Sequence, residues 1–509
     1  MRRNLGRVWQ PLLAVISALF GLYMVMKIYV AGQPSLALGC MAVLGIGIYV
    51  YTSGRAYAYR YLFPGMLAAA VFVLLPLIYT FAIGFTNYSS KNLLSYERAR
   101  QYFLEETYQV EGDSYAFSLH DDGNAYRIRL ERPDGKVFAT APLALKKPEP
   151  LTVEAKELAK TDAALSATEL QTPQLVPLLP ALKKVTVTLP DTQQATLSGL
   201  REFAPVRLLY KANADGSLTN QQDGTVIRAD QQTGFFTKAN GEALQPGFKV
   251  GVGFDNYKRI FTEPTFREPF IRIFIWTVAF AGLTVVFTFA VGVVLAVLLN
   301  WEALRFRAFY RVMLFLPYAV PGFISILVFK GLFSENSGEI NAMLKALFGI
   351  SPHWFSDPWL ARSMLLIVNT WLGYPYMMVL CMGLIKAIPS DLYEASAIAG
   401  AGPLTNFFKI TLPLIAKPIT PLLISAFAFN FNNFVLIALL TGGRPDFIDT
   451  TVPAGETDLL VSYTYRIAFE DSGQQFGLAA AISTVIFIMV AILSIVNLRL
   501  TKVNQQEAR

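Results

Sequence analysis

Eight stretches of this chain, near 12–31, 36–53, 62–85, 271–299, 308–332, 361–388, 412–440 and 476–498, are apolar over about the length that a bilayer-crossing helix requires, ~20 residues. Backbone N–H and C=O groups find no water inside a membrane, so each stretch is confined to a helix that bonds itself. An apolar share of 54% and a charged share of only 16% agree with this reading. The first two stretches, separated at Gln33-Pro34, read as a tight helical hairpin. Arg2, Arg3 and Arg7 before an apolar run look like a signal peptide. That run is long, lacks a convincing small-residue cleavage site and leads into another span, so a retained first helix is expected.

The cationic residues set the orientation. Arg2, Arg3 and Arg7 precede the first span, and Arg55 and Arg60 lie between the second and third. Arg305, Arg307 and Arg311 follow the fourth, Lys386, Lys409 and Lys417 flank the loop after the sixth, and Arg499, Lys502 and Arg509 follow the last. With eight spans and both termini in the cytoplasm, all of them fall on one side. The formal charge of +7 is then a topology signal, and no basic stripe interleaved with aromatics suggests nucleic acid. Cys40 and Cys381 sit inside spans, and His120 and His353 are the only histidines. Neither a disulfide framework, a metal-ligand set nor histidine-based catalysis has material here.

Between the third and fourth spans the sequence turns polar for roughly 180 residues, enough for one domain. Tyr126, Ile128 and Leu130 alternate with Arg127 and Arg129, and Val185, Val187 and Leu189 with Thr186 and Thr188, as strands do. Asp122-Gly123, Asp134-Gly135, Asp215-Gly216, Asp223-Gly224 and Asn240-Gly241 read as turns. A helix is expected over 153–160 and a loop over the proline-rich run 173–180. The topology puts this β-rich α/β insert on the outer, periplasmic side. The adjacent pair Asp121-Asp122 reads as turn residues, so binding or docking fits the insert better than catalysis.

The loop after the sixth span is unlike ordinary solvated loops. Glu394-Ala395-Ser396-Ala397-Ile398-Ala399-Gly400 is followed after nine residues by Ile410-Thr411-Leu412-Pro413. It reads as a short helix, a glycine break and a second short helix entering the next span, with Asp391 and Glu394 forming a capping box. This spacing resembles the EAA loop of the membrane subunits of bacterial ABC importers. There the loop couples to an ATPase subunit, which implies that role for Glu394, Ala395, Ser396 and Gly400, although Ser396 departs from the usual alanine.

Two spans carry amides at membrane depth, where they are costly unless they face protein, water or a ligand. Asn369 to Tyr376 includes Gly373 and Pro375, expected to loosen the helix; Phe427 to Phe434 includes Asn430, Asn432 and Asn433 among phenylalanines. Amides beside flat apolar rings suit a sugar, with its hydroxyls and C–H faces, although amides also serve to bond helices together.

Together with Gly253-Phe254-Asp255-Asn256-Tyr257 before the fourth span, these features resemble the larger permease subunits of maltose/maltodextrin ABC importers along the whole chain. The resemblance implies sugar contacts at Leu372, Gly373, Tyr376, Phe429, Asn430 and Asn433. Ala426 stands where it leads one to expect serine. It implies no cofactor, and as partners a second permease subunit, a homodimeric ATP-binding subunit, a periplasmic maltose-binding protein and membrane lipid. The chain itself has no Walker A sequence, since its sole Gly-Lys pair, Gly135-Lys136, is followed by Val137. The expected division is a helical hairpin over 1–60, a third span over 61–87, the insert over 88–265 and a permease core over 266–509, with the coupling loop at about 389–413. A secondary transporter would instead call for inverted repeats or intramembrane ionisable groups. A membrane-anchored enzyme would need a catalytic constellation in the insert.

Overall fold

The computed structural model describes residues 2–110, 112–123, 125–145, 149–158, 168–191 and 193–506. Arg509 and positions 159–160 therefore lie outside the described residues. The chain folds into two units: one joins the chain up to Phe85 with Phe254–Glu470 and the segment from Gly477, and the other joins Thr86–Gly253 with Asp471–Phe476.

In the first unit the apolar runs become helices α1 (Arg2–Val30), α2 (Pro34–Thr52), α3 (Tyr59–Gly84), α4 (Pro264–Asn300), α5 (Arg307–Ala319) and α6 (Gly322–Leu332). Next come α7 (Pro358–Lys386), α8 (Ser390–Ile398), α9 (Pro403–Phe431), α10 (Phe434–Leu440), α11 (Leu460–Phe469) and α12 (Phe476–Gln506). Among the described residues five helices, α3, α4, α7, α9 and the Phe476–Val496 part of α12, are long and apolar enough to cross a membrane. The α5–α6 pair makes six if counted as one span, and Val15–Val30 and Leu36–Thr52 are shorter apolar helices.

Three spans differ from the sequence reading. The run 308–332 is not straight, because α5 and α6 meet at 90°. Pro317 lies inside α5, and Pro321 holds Val320 in an extended conformation (φ −87°, ψ 132°), as a residue before proline prefers. The run 412–440 starts earlier, at Pro403, and breaks at Asn432, because the Asn433 side chain accepts the Leu436 N–H and starts a new helix. Conversely, Gly373 and Pro375 do not interrupt α7, which runs unbroken for 29 residues.

Packing against α4 explains that continuity. The α4 stripe Phe280, Thr284, Thr288, Gly292 and Ala296, at four-residue spacing, is buried and lies against α7. The approach is close enough to require glycine on both sides. A Cβ on Gly292 would sit 2.8 Å from the Met378 amide nitrogen, and one on Gly373 2.8 Å from the Thr288 methyl carbon. The Tyr374 hydroxyl also donates to the Leu314 carbonyl at 2.9 Å, tying α7 to α5.

After α10 the chain is organised by a buried cation. Arg466 donates to Asp458 (2.7 Å), Asp446 (2.6 Å) and Glu470 (3.1 Å), and the Asp458 side chain is fully buried. The Gly455 N–H and Ser462 hydroxyl complete the acceptor sites of Asp458.

The second unit has two cores. In the larger, seven strands form a ring, because Tyr115–Asp121 pairs with Tyr126–Glu131 on one side and with Glu202–Ala204 on the other. Ile128, Leu130, Val185 and Val187 point into it, as their alternation predicts. The smaller is a five-stranded antiparallel meander from Tyr210 to Leu244, covered by the helix Tyr96–Glu105, whose N-cap is Ser95. The five turn glycines all have φ between 75° and 88°, which favours Gly. Asp121, the last residue of its strand, accepts the Gly123 N–H and Asp122 pairs with Arg127, so both serve the turn. The expected helix over 153–160 is instead a strand, Leu151–Glu157, parallel to Val185–Thr188. The proline run 173–180 is not a loop but helical turns, Thr172–Leu175, Val176–Leu178 and Leu179–Leu182, each with proline in a position that needs no N–H. Asp471–Phe476 completes the unit: the Ser90 N–H and hydroxyl donate to the Gly473 carbonyl (3.2 and 2.8 Å), and the Tyr88 and Phe476 rings lie 5.1 Å apart.

Candidate functional site

A cavity of about 570 Å³ opens among α4, the α5–α6 bend, α7 and the α9–α10 break. Leu372, Gly373, Tyr376, Phe429, Asn430 and Asn433 all line it, as does Ala426. The two helix breaks are what place these residues together. The bend brings Tyr318 and Phe323 to the wall, and the stop at Asn432 turns Asn433 toward Asn430. Asn432 goes elsewhere, lining a separate cavity with Thr464 and Ser483, so only two amides of the Phe427–Phe434 segment face this one.

The amides form a connected network around Asn369. Its Nδ2 donates to Asn430 Oδ1 at 2.7 Å and to Thr284 Oγ1 at 3.2 Å, and its Oδ1 accepts from Asn433 Nδ2 at 3.3 Å. Asn430 Nδ2 in turn donates to the Ala426 carbonyl at 2.8 Å. An amide offers two N–H donors and two acceptor lone pairs, so Asn430 and Asn433, which both line the cavity, each keep unused capacity. Phe429 is 73% exposed and Tyr376 42%, so both present ring faces to open space. Among the described residues no Asp, Glu, Lys, Arg or His lines the cavity, which disfavours an ionic ligand or proton relay.

Asn369 and Thr284 belong to the site although neither was among the expected contacts. An asparagine deep in an apolar run is itself a signal, so Asn369 was open to recognition. Thr284 was not, because a helical threonine routinely bonds its own backbone. Phe487, by contrast, lies away from the cavity, its ring 5.6 Å from Phe81.

The Glu394–Gly400 segment and its continuation form a helix, Ser390–Ile398, then Gly400 at φ 79°, then a helix from Pro403. The Gly400 and Ala401 N–H groups bond back to Ala397 and Ser396 carbonyls, closing the first helix. The expected capping box is absent. The helix begins one residue before Asp391, with Pro389 as its cap and no side-chain cap bond, so Asp391 lies inside the first turn. Ser396 donates to Asn406 Oδ1 at 2.5 Å, linking the two helices across the break. Glu394, Ala395 and Gly400 are exposed, and Ile398 and Leu404 leave apolar side chains open beside them. No cluster among the described residues is suited to a metal ion.

Known proteins resemble the chain on both units. Residues 94–253 match the family described as the maltose transport system permease protein MalF P2 domain, and residues 288–503 the binding-protein-dependent transport system inner membrane component. The maltose/maltodextrin transport system permease protein MalF of Klebsiella aerogenes is 51% identical over 488 residues, 94% of each chain. That of Escherichia coli K12 is 50% identical over 498 residues, 96% of each. A solved bacterial alginate ABC transporter aligns at TM-score 0.42 and 24% identity over 49% of this chain and 84% of its own. With about half of its residues identical to those permeases along nearly its whole length, the chain belongs to the MalF family of binding-protein-dependent transport membrane proteins.

Proposed function

We propose that this chain is the larger permease subunit of an ATP-driven importer that carries maltose and maltodextrins across the inner membrane. The observation that carries this reading is the uncharged cavity in which Asn430 and Asn433 keep free hydrogen-bonding capacity beside the open faces of Phe429 and Tyr376. In this reading the two amides bond sugar hydroxyls, the rings pack against sugar C–H faces, and Leu372 and Gly373 shape the wall.

The remaining assignments follow from the same reading. Eight spans leave both termini in the cytoplasm, residues 1–60 form the hairpin, 61–87 the third span, 88–265 the periplasmic insert and 266–509 the permease core. A second permease subunit, a homodimeric ATPase and a periplasmic maltose-binding protein complete the complex. ATPase closure pushes on the exposed helix bearing Glu394, Ala395 and Ser396, hinged at Gly400. Because α9 continues from this loop to Phe429 and Asn430, displacement at its start is transmitted to the cavity. The pathway then exchanges inward- and outward-facing states, each favoured by different partners.

A second reading, a permease for another oligosaccharide, draws on Ala426, which offers the cavity a methyl where the resemblance leads one to expect a hydroxyl. Uptake of labelled maltose, longer maltodextrins, glucose and a non-glucose oligosaccharide by the reconstituted complex separates the two. Maltose uptake is expected, to be lost in Phe429→Ala and kept in Phe487→Ala. Equal uptake by both variants would remove the cavity from the pathway.

A further inference from the structure

The wall of the cavity holds a polar group outside the amide network. Five residues of α9 line it, Leu422, Ser425, Ala426, Phe429 and Asn430, and Ser425 alone among these five carries a hydroxyl. At about 100° per residue the five cover an arc of roughly 140°, with Ser425 on one edge and Asn430 on the other. Phe429 lies within that arc, one turn or about 6 Å along the helix from Ser425. Phe429 is 73% exposed, whereas Asn430 is buried. The aromatic platform therefore has an amide on one flank and a hydroxyl on the other.

The two flanks offer different chemistry. Asn430 holds its amide in the network, accepting from Asn369 and donating to the Ala426 carbonyl. Ser425 is exposed, and its hydroxyl donates to the Pro421 carbonyl at 2.9 Å. A helical serine commonly bonds its own preceding turn in this way, which fixes the direction of its proton. What remains is an acceptor with two lone pairs, strengthened by the bond the hydroxyl donates. Ala426, the next residue of the wall, adds only a methyl.

We infer that Ser425 is a specificity-determining contact of this cavity: its Oγ accepts a hydrogen bond from one hydroxyl of a pyranose that lies on Phe429, with the ring's other edge at Asn430. The inference rests on the sugar reading of the same cavity and adds a residue and a polarity to it. A wall that bonds a substrate hydroxyl rejects the analogue lacking that hydroxyl, because its own polar group is then left without a partner.

The test measures uptake by the full-length chain in its reconstituted complex, supplied with maltose or with maltose analogues in which one hydroxyl at a time is replaced by hydrogen. The other subunits and the binding protein are the same in every arm, so their preferences cancel when a variant's analogue-to-maltose ratios are compared with those of wild type. Wild type should take up maltose and discriminate about fivefold against the analogue that lacks the bonded hydroxyl, the worth of a single uncharged hydrogen bond. Ser425→Ala should take up maltose about fivefold more slowly and lose that one discrimination, with the ratios at the other positions unchanged. Ser425→Thr, which keeps a hydroxyl able to bond its own turn, should retain both. An unchanged set of ratios in Ser425→Ala would overturn the inference, whether maltose uptake stays parental or falls for every sugar alike. Absence of maltose uptake by wild type would instead overturn the maltose reading, and the inference with it.

Discussion

Replacing Asn369 by leucine tests the amide network most directly, because the residue bonds three partners at once. Leucine keeps a similar volume but removes the bonds to Thr284 Oγ1, Asn430 Oδ1 and Asn433 Nδ2. Side-chain hydrogen bonds between membrane helices are worth about 0.6 kcal/mol each, so three amount to roughly 2 kcal/mol, about thirtyfold in an equilibrium constant. Most of that loss should appear in sugar uptake, since Asn430 and Asn433 lose the partner that orients them. The basal ATP hydrolysis of the reconstituted complex should change little. A double-mutant cycle with Asn430→Leu sharpens the test: the two residues are joined at 2.7 Å, so their effects on uptake should fall short of additive by about 0.5 kcal/mol or more. Parental uptake in Asn369→Leu, or strict additivity in the cycle, would show that these amides only hold helices together.

Three further outcomes are expected. Gly400→Pro forces a residue near φ −65° into a site at φ 79° and removes the N–H that bonds Ala397, so co-purification of the ATPase or sugar-stimulated hydrolysis should be lost; a stimulated, intact complex would contradict the coupling role. Arg466→Met leaves Asp458 buried without its cation and should cost about 3–5 kcal/mol in thermal unfolding, while Arg466→Met with Asp458→Leu should recover most of it; equal melting of single and double variants would refute this. Residues 86–253 expressed alone should fold on their two buried cores, read by circular dichroism, and bind the periplasmic binding protein in calorimetry; a folded fragment without binding would count against a docking role.

Local features of the sequence were legible and distant ones were not. Apolar runs announced their helices, and the Asp-Gly and Asn-Gly pairs their turns, because each depends only on neighbouring residues. The strand Leu151–Glu157 read as helix because Glu154, Ala155 and Lys156 are helix formers; the parallel partner that overrides them, Val185–Thr188, is some thirty residues away. The bend at Val320 was written in Pro317 and Pro321, whereas the stop at Asn432 rests on a single capping side chain inside an apolar run. The cavity residues carried recognisable types, amides and aromatics in apolar runs. Their mutual bonding, with Asn369 in the middle, required knowing which faces of α4, α7 and α9 meet.

The bond from Ser90 to Gly473 spans 383 positions, and this has a consequence for biosynthesis. A ribosome delivers the ring of strands and the meander long before it reaches Asp471–Phe476. Those last residues emerge only after α4 to α11 have been synthesised. Until then Tyr88 lacks the Phe476 ring and Ser90 its carbonyl, so the insert's seam stays open on every nascent or truncated chain. Closing it therefore ties completion of the insert to synthesis of the segment that immediately precedes the last helix, α12.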